Sequence, residues 1–212
     1  MPAVARTTRE RWIEAGLQAL AEGGPDAVRV EVLAGRLGVT KGGFYGHFDG
    51  RPAFLAEMLD TWEQQSTSEV IARAEAEGTD PAETLRTVGR LTYSADAHPI
   101  DLAVRSWARH DPEVAERLRR VDNRRMAFLR KMFGAFLTDP DEVEARSVLM
   151  FSLAIGRHFI GADHPGHTRP QAVQLAGEYL LRPSPVQPSP TQPSSVQPPP
   201  VRRSPAVTKP LS

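Results

Sequence analysis

The chain has 212 residues, a formal net charge of zero from 26 basic and 26 acidic side chains, and no cysteine. The lack of cysteine excludes disulfides, thiolate metal sites and cysteine nucleophiles, and the zero charge excludes bulk basicity as support for a nucleic-acid partner. The first residues lack the apolar core of a signal peptide, and no apolar run reaches the roughly 18 residues that span a bilayer. We therefore expect a soluble protein of the cytoplasm.

Helix-start signals and helical periodicity extend through most of the chain. Thr7 and Glu10 form a predicted capping box, and Asp-Pro pairs at 80–81, 111–112 and 139–140 mark three later helix starts. No run of alternating strand pattern is flanked by hairpin turns. The sequence predicts an all-α protein with helices near 7–22, 30–37, 41–47, 51–77, 81–96, 100–109, 112–137, 140–161 and 170–181.

Residues 30–48, VEVLAGRLGVTKGGFYGHF, have the pattern of a helix-turn-helix. Gly38 can adopt the positive φ of a tight turn, and Thr40 is a predicted cap for the second helix. At 100° per residue, Phe44 and Phe48 share one side of that helix. The opposite side carries only glycines and is bordered by polar side chains: Gly42, Gly43 and Gly46, with Lys41, Tyr45, Thr40 and His47 at the margins. An ordinary helical hairpin in a core would also turn at glycine.

The bare glycine side of this helix favours a DNA contact over the plain hairpin. A glycine inside a helix costs about 1 kcal/mol relative to alanine, and a solvent-facing helix gains nothing from it. A helix pressed into the major groove brings its backbone close there, while Lys41, Tyr45 and His47 reach the sugar-phosphate strands. We expect Phe44 and Phe48 to stabilise the helix by burial.

The segment VEVLAGRLGVTKGGFYGHFDGRPAFLAEML, with the helix before it, resembles the DNA-binding domain of the tetracycline-repressor-type (TetR) family of bacterial transcriptional regulators. The resemblance implies a DNA-binding domain over 6–66, with its helix-turn-helix at 29–48, and a helical effector-binding and dimerisation domain over 67–182. It implies DNA-contact positions in the second motif helix and a phosphate contact just after it. The DNA-contact set is Thr40, Lys41, Gly42, Gly43, Tyr45, His47 and Arg51, with Arg6 and Arg9 as an N-terminal arm and Arg29 as a further candidate.

By the same resemblance, the C-terminal domain encloses an effector cavity. Trp107, Phe128 and Met150 are the predicted wall residues. Large aromatic side chains and adaptable methionines suit an apolar or aromatic small molecule.

The last two predicted helices hold more apolar positions than one inward face needs. We expect a four-helix seam between two copies of the chain, which fits the homodimers of the family. The predicted seam residues are Val148, Phe151, Ser152, Ile155, Val173, Ala176 and Tyr179. A homodimer is also a physical requirement, because one short reading helix touches too few bases and a second half-site lies one DNA turn, about 34 Å, away.

No pattern indicates a metal site, a cofactor site or catalysis. His158, Asp163, His164 and His167 cluster near a proline-glycine loop without a ligand frame, so we interpret them as solvated side chains. No Ser-His-Asp arrangement, phosphate loop or dinucleotide fingerprint is found. We predict no metal, no cofactor and no enzyme activity, although turnover of a molecule bound in the cavity would revive that class.

From Pro183 onward, ten prolines in thirty residues predict a disordered tail over 183–212. The tail is either an unselected extension, a ligand for proline-binding grooves or a weak DNA tether. For the whole chain we expect a homodimeric repressor that binds a near-palindromic operator and is released by a small molecule. A helical protein–protein interaction module without DNA binding is the alternative.

Overall fold

A computed structural model describes residues 7–78, 80–93 and 98–182 of the chain. Within these ranges every regular element is a helix, which confirms the all-α prediction. The predicted tail and Arg6 lie outside the described residues. The helices are α1 (Arg9–Gly23), α2 (Val30–Leu37), α3 (Lys41–Tyr45), α4 (Arg51–Glu63), α5 (Val70–Glu77), α6 (Pro81–Tyr93), α7 (His98–Ala108), α8 (Pro112–Gly134), α9 (Pro140–Gly156) and α10 (Arg169–Leu180).

The three Asp-Pro pairs begin helices as predicted. Asp80 Oδ1 accepts from a backbone N–H in the first turn of α6 at 2.8 Å, and Asp111 and Asp139 do the same for α8 and α9 at 3.0 Å each. The predicted capping box at Thr7 is wrong by one residue. Thr8 caps α1 instead, with its Oγ1 3.4 Å from the Arg11 nitrogen, because either threonine of the pair can supply the acceptor.

The predicted single helix over 51–77 is interrupted by a π-helical turn, Gln64–Glu69, between α4 and α5. Arg125 of α8 donates to the Ser66 carbonyl oxygen within this turn at 3.3 Å. The segment contains no proline or glycine, so helix-breaking residues gave no signal of the interruption. Helices α3, α8 and α9 also end earlier than predicted, at Tyr45, Gly134 and Gly156.

One apolar core continues from the N-terminal helices into the rest of the protein. Trp12 and Leu20 of α1 are fully buried in the same cluster as Val104 of α7 and Val121 of α8. A second cluster lies between α6, α8 and the residues after α8, around Leu85, Phe128, Leu129, Met132, Phe133 and Leu137. Helix α1 therefore packs on α7 as part of a shared interior.

Helices α7 and α8 are also joined by a cluster of four charged side chains. Arg105 donates to Asp101 at 2.9 Å and to Asp122 at 2.7 Å, and Arg125 donates to Asp101 at 2.8 Å. Asp101 is only 8% exposed. Its burial acts to raise the pKa of the carboxyl, but the charges of Arg125 and Arg105 outweigh burial and hold that pKa below its ordinary value.

None of the helices in the described ranges has both the length and the apolar character to cross a bilayer.

Candidate functional site

Helix α3 is held in place by an aromatic cluster. It has five residues, two of them glycine, and the Thr40 side chain makes no capping hydrogen bond. Phe44 is fully buried, and its ring centroid lies 5.4 Å from that of Trp12, 5.1 Å from that of Phe48 and 5.3 Å from that of Phe54. Burial of Phe44 and Phe48 therefore stabilises a helix of low intrinsic propensity, and their predicted inward orientation is confirmed.

The opposite side of α3 is open. A Cβ built on Gly43 would meet nothing within 4 Å, and one built on Gly42 would meet only Thr40 Oγ1, at 3.7 Å. Tyr45 is 61% exposed at the margin of this side. Gly38 has φ 67° and makes the left-handed turn that joins α2 to α3, as predicted. We call the exposed side of α3, formed by Thr40, Lys41, Gly42, Gly43 and Tyr45, the glycine face.

Lys41, also at the margin, forms an ion pair with Glu31 of α2. The hydrogen bond to Glu31 raises the pKa of the Lys41 ammonium group, and the same bond lowers the pKa of the Glu31 carboxyl. Both side chains are more than half exposed, so the pair contributes little stability. The sequence analysis did not identify Glu31 as the partner of Lys41.

Three other predicted contact residues have partners within the protein. His47 lies beyond the end of α3, half-buried, with its Nε2 2.9 Å from the Thr7 carbonyl oxygen. Arg51 donates to the Val28 oxygen at 2.8 Å and to the Pro25 oxygen at 2.6 Å.

Arg9 donates to Glu57 at 2.8 Å, and its guanidinium carbon lies 4.6 Å from the centre of the Phe48 ring. Arg29 is exposed at the start of α2. The structure thus brings Thr40, Lys41, Gly42, Gly43 and Tyr45 onto one exposed face, and gives Arg9, His47 and Arg51 internal contacts beside it.

A cavity of about 1540 Å³ lies between α1, α6, α7, α9 and α10. Trp107 and Met150 are among its lining residues. Phe128 does not line it, because that ring is buried in the second core cluster. The wall also includes Gly24, Pro25 and Asp26 from the connection between α1 and α2. The charged and ionisable lining residues are Asp26, Arg86, His110, Arg157, His158, Arg169 and Glu178.

Helices α9 and α10 carry a row of exposed apolar side chains. Val148 is 45%, Leu149 53%, Leu175 55% and Tyr179 66% exposed. Of the other predicted seam residues, Ser152 and Ala176 are exposed, and Phe151, Ile155 and Val173 are half-buried. Val173 also lines the cavity.

Within the described ranges, no three histidine or acidic side chains are grouped closely enough to hold a metal ion.

The model of bacterial regulatory proteins of the tetR family matches residues 13–58, the segment that contains α3 and the Phe48 and Phe54 rings packed against it. A comparison with curated proteins by sequence finds no match. Three solved structures illustrate the likeness of the fold. PfmR, a TetR family transcriptional regulator from Thermus thermophilus, has a TM-score of 0.59 at 22% identity, over 84% of this chain and 97% of that chain.

FadR from Bacillus subtilis, solved in complex with stearoyl-CoA, has a TM-score of 0.59 at 15% identity, over 82% of this chain and 98% of that chain. AibR, solved in complex with isovaleryl coenzyme A and operator DNA, has a TM-score of 0.61 at 15% identity, over 82% and 99%. Over residues 13–58 the chain is therefore similar to bacterial regulatory proteins of the tetR family, and its all-helical fold is similar to that of PfmR.

Proposed function

We propose that the protein is a homodimeric transcriptional repressor of the cytoplasm that binds a near-palindromic operator and is released by a small molecule. The observation that carries this proposal is the exposed glycine face, on a helix that the buried Phe44 anchors from its opposite side. A helix whose outer side lacks side chains can bring its backbone against base edges. The proposal assigns DNA binding, and not catalysis, to the protein.

Lys41 and Tyr45 carry the side-chain part of the proposed contact. Both border the glycine face and are exposed. An exposed ion pair such as Lys41–Glu31 is worth roughly 0–1 kcal/mol, so a guanine edge or a phosphate can replace Glu31 as the partner of Lys41 at little cost. Arg51 and His47, which hold the neighbouring segments in place, would add backbone contacts at the rim.

The exposed row on α9 and α10 supports the homodimer. Side chains such as Leu149, Leu175 and Tyr179 are more than half exposed in the single chain. Exposed large apolar side chains on two helices that pack together favour burial against a second copy. Because α3 spans five residues, or about 7.5 Å at 1.5 Å per residue, each copy reads a short half-site. Two copies would read half-sites about 34 Å apart.

The position of the cavity supports control by a ligand. Its wall includes Pro25 and Asp26, which belong to the connection between α1 and α2, and Arg51 holds that connection through the Pro25 and Val28 carbonyl oxygens. A molecule in the cavity would therefore contact the connection between α1 and α2, and α2 leads directly into α3. A coupling of about 1–3 kcal/mol between ligand and DNA is typical of such systems.

The proposal is tested by measuring DNA binding before and after replacement of Lys41 and Tyr45, the side chains at the edges of the glycine face. Footprinting on the DNA upstream of the reading frame of the protein would locate an operator, and fluorescence anisotropy would then give the affinity. We expect Lys41→Ala combined with Tyr45→Ala to abolish operator binding and Lys131→Ala to leave it unchanged. Lys131 is the matched control, because it is an exposed lysine paired with Glu75, far along the chain in α8.

The salt dependence of binding checks the same contact. Loss of a phosphate contact should reduce the slope of log affinity against log salt by about 1 for each Lys41 removed. If the unmodified protein protects no DNA, it is better described as a helical protein–protein interaction module. Operator binding that survives the double substitution would contradict the assignment of α3 as the reading helix.

A further inference from the structure

An acidic side chain lies beside the glycine face. Glu31, the second residue of α2, forms the ion pair with Lys41, the first residue of α3, and its side chain is 62% exposed. Lys41 borders the glycine face, so the carboxylate that contacts its ammonium group lies at the same margin. The surface proposed to meet DNA therefore carries a negative charge next to its positive one.

The Glu31 side chain accepts hydrogen bonds and does not donate them. The bond from Lys41, a bond from the backbone N–H of Glu31 itself and the positive charges of Lys41 and Arg29 all lower the pKa of the carboxyl, so the group is ionised at neutral pH. An ionised carboxylate has two acceptor oxygens and no hydrogen to donate. Phosphate oxygens, which are negatively charged acceptors as well, repel it. Close to a duplex, this carboxylate therefore needs a donor.

The proposed exchange of partners by Lys41 decides where that donor must lie. Lys41 begins α3, and the N-terminal residues of the second helix contact base edges in helix-turn-helix proteins. When the Lys41 ammonium group donates to O6 or N7 of a guanine, Glu31 either loses its partner or shares Lys41 with the base, because the ammonium group has three donors. In both cases the carboxylate lies next to the base pair that contains this guanine.

The major groove offers two kinds of donor, the N4 amino group of cytosine and the N6 amino group of adenine. In adenine, the acceptor N7 lies beside N6 and opposes a carboxylate. Cytosine presents its amino group without a neighbouring acceptor of its own, and in a G·C pair that group lies beside guanine O6. The ammonium group of Lys41 and the carboxylate of Glu31 thus match the acceptors and the donor of one G·C pair.

We infer that Glu31 is a specificity-determining residue, which accepts a hydrogen bond from the N4 amino group of a cytosine in each half-site, beside the guanine that Lys41 contacts. The inference rests on the proposed function, since the glycine face must lie in the major groove. It adds a base preference that Lys41 alone does not provide, because an ammonium group can equally bind a phosphate, which carries no sequence information. A carboxylate has no such alternative on DNA.

Relative affinities for altered operators test the inference. After footprinting has located the operator, each base pair is changed in turn, symmetrically in both half-sites, and fluorescence anisotropy gives the affinities of the parent, Glu31→Ala and Glu31→Gln. Glu31→Ala should reduce the preference of the parent for G·C over A·T by about tenfold at one position of the half-site, and leave the preferences at the other positions unchanged. Glu31→Gln should shift that position further toward A·T, because a glutamine amide pairs with adenine N6 and N7.

Glu22→Ala is the matched control. Glu22 is also an exposed acid of the N-terminal helices, paired with Arg36, and its replacement should leave every base preference unchanged. Glu31 lies in the first turn of α2, where a negative charge also stabilises the helix. A loss of stability lowers the affinity for all operators equally, so the ratio of affinities separates the two roles of this side chain.

Two results would overturn the inference. One is an unchanged set of base preferences in Glu31→Ala. The other is tighter binding of this variant to all sequences alike with a steeper salt dependence, which would identify Glu31 only as a charge that limits phosphate contact by Lys41. Both results leave the proposed function intact, because the parent still selects its operator. A parent that protects no DNA would contradict the proposed function together with the inference.

Discussion

Replacement of Gly43 by alanine should make the protein more stable and a weaker DNA binder. Gly43 lies in the middle of α3 and outside the positive-φ region, and an added Cβ would meet nothing within 4 Å. Because alanine is favoured over glycine in helices by about 0.8–1 kcal/mol, we expect the free energy of unfolding to rise by roughly 0.5–1 kcal/mol. The melting temperature should rise by about 1–4 °C.

The same methyl group should oppose DNA binding if the glycine face lies against the groove. Overpacking of one methyl group at a close contact costs about 1–3 kcal/mol. A dimer carries the change twice, so the smallest expected loss is about 2 kcal/mol, or roughly 30-fold in operator affinity. Fluorescence anisotropy at fixed salt would measure the affinity, and differential scanning calorimetry would measure the stability.

Gly134→Ala is the matched control. Gly134 ends α8, and an added Cβ there also meets nothing within 4 Å. This variant should gain stability without loss of DNA affinity. If Gly43→Ala is more stable and binds the operator as tightly as the parent, the glycine face does not approach DNA and the argument from bare backbone fails.

Three further predictions concern stability. Gly16→Ala should lower the free energy of unfolding by about 1–3 kcal/mol in urea denaturation, because the added Cβ would lie 2.6 Å from Met58 Sδ. An unchanged free energy of unfolding would show that the side chains between α1 and α4 rearrange without cost. Asp101→Asn should cost about 1–3 kcal/mol, since it removes a buried carboxylate that Arg125 and Arg105 share while Asp122 still pairs with both. Glu144→Gln in an exposed pair should cost at most about 1 kcal/mol. The pKa of Asp101 is depressed in the folded protein, so its contribution is present at neutral pH and is lost as pH falls from about 4 through the folded value. Acid denaturation of Asp101→Asn should accordingly be less steep than that of the parent, and identical slopes would contradict the role of this carboxylate.

Local signals in the sequence predicted the buried side of α3, the turn before it and three helix starts. The periodicity of Phe44 and Phe48 identified the buried side of α3, and Gly38 marked the left-handed turn before it. In each Asp-Pro pair the aspartate supplies the cap acceptor and the proline begins the helix. Each of these three helix starts could therefore be predicted from two adjacent residues. These features depend on neighbours within one helical turn, and a single sequence contains that information.

Contacts between distant segments had no such signal. Arg9 meets Glu57, 48 residues away, and Arg51 meets the Pro25 carbonyl, 26 residues away. Phe128, expected at the cavity, instead faces the second core cluster, because the rotation of α8 relative to α6 decides its side. Periodicity identifies an apolar stripe but does not identify which neighbour covers it.

The continuous core has a consequence for how the protein denatures. Val104, Val114 and Val121 share one interior with Trp12 and Leu20, so a fragment that stops after α4 would expose the side of α1 that faces α7. Helices α1 to α4 should accordingly melt together with α7 and α8 in a single cooperative transition. Any molecule that binds in the cavity of the folded protein would then raise the melting temperature of the helices that share this core, α3 included, by mass action on that one transition.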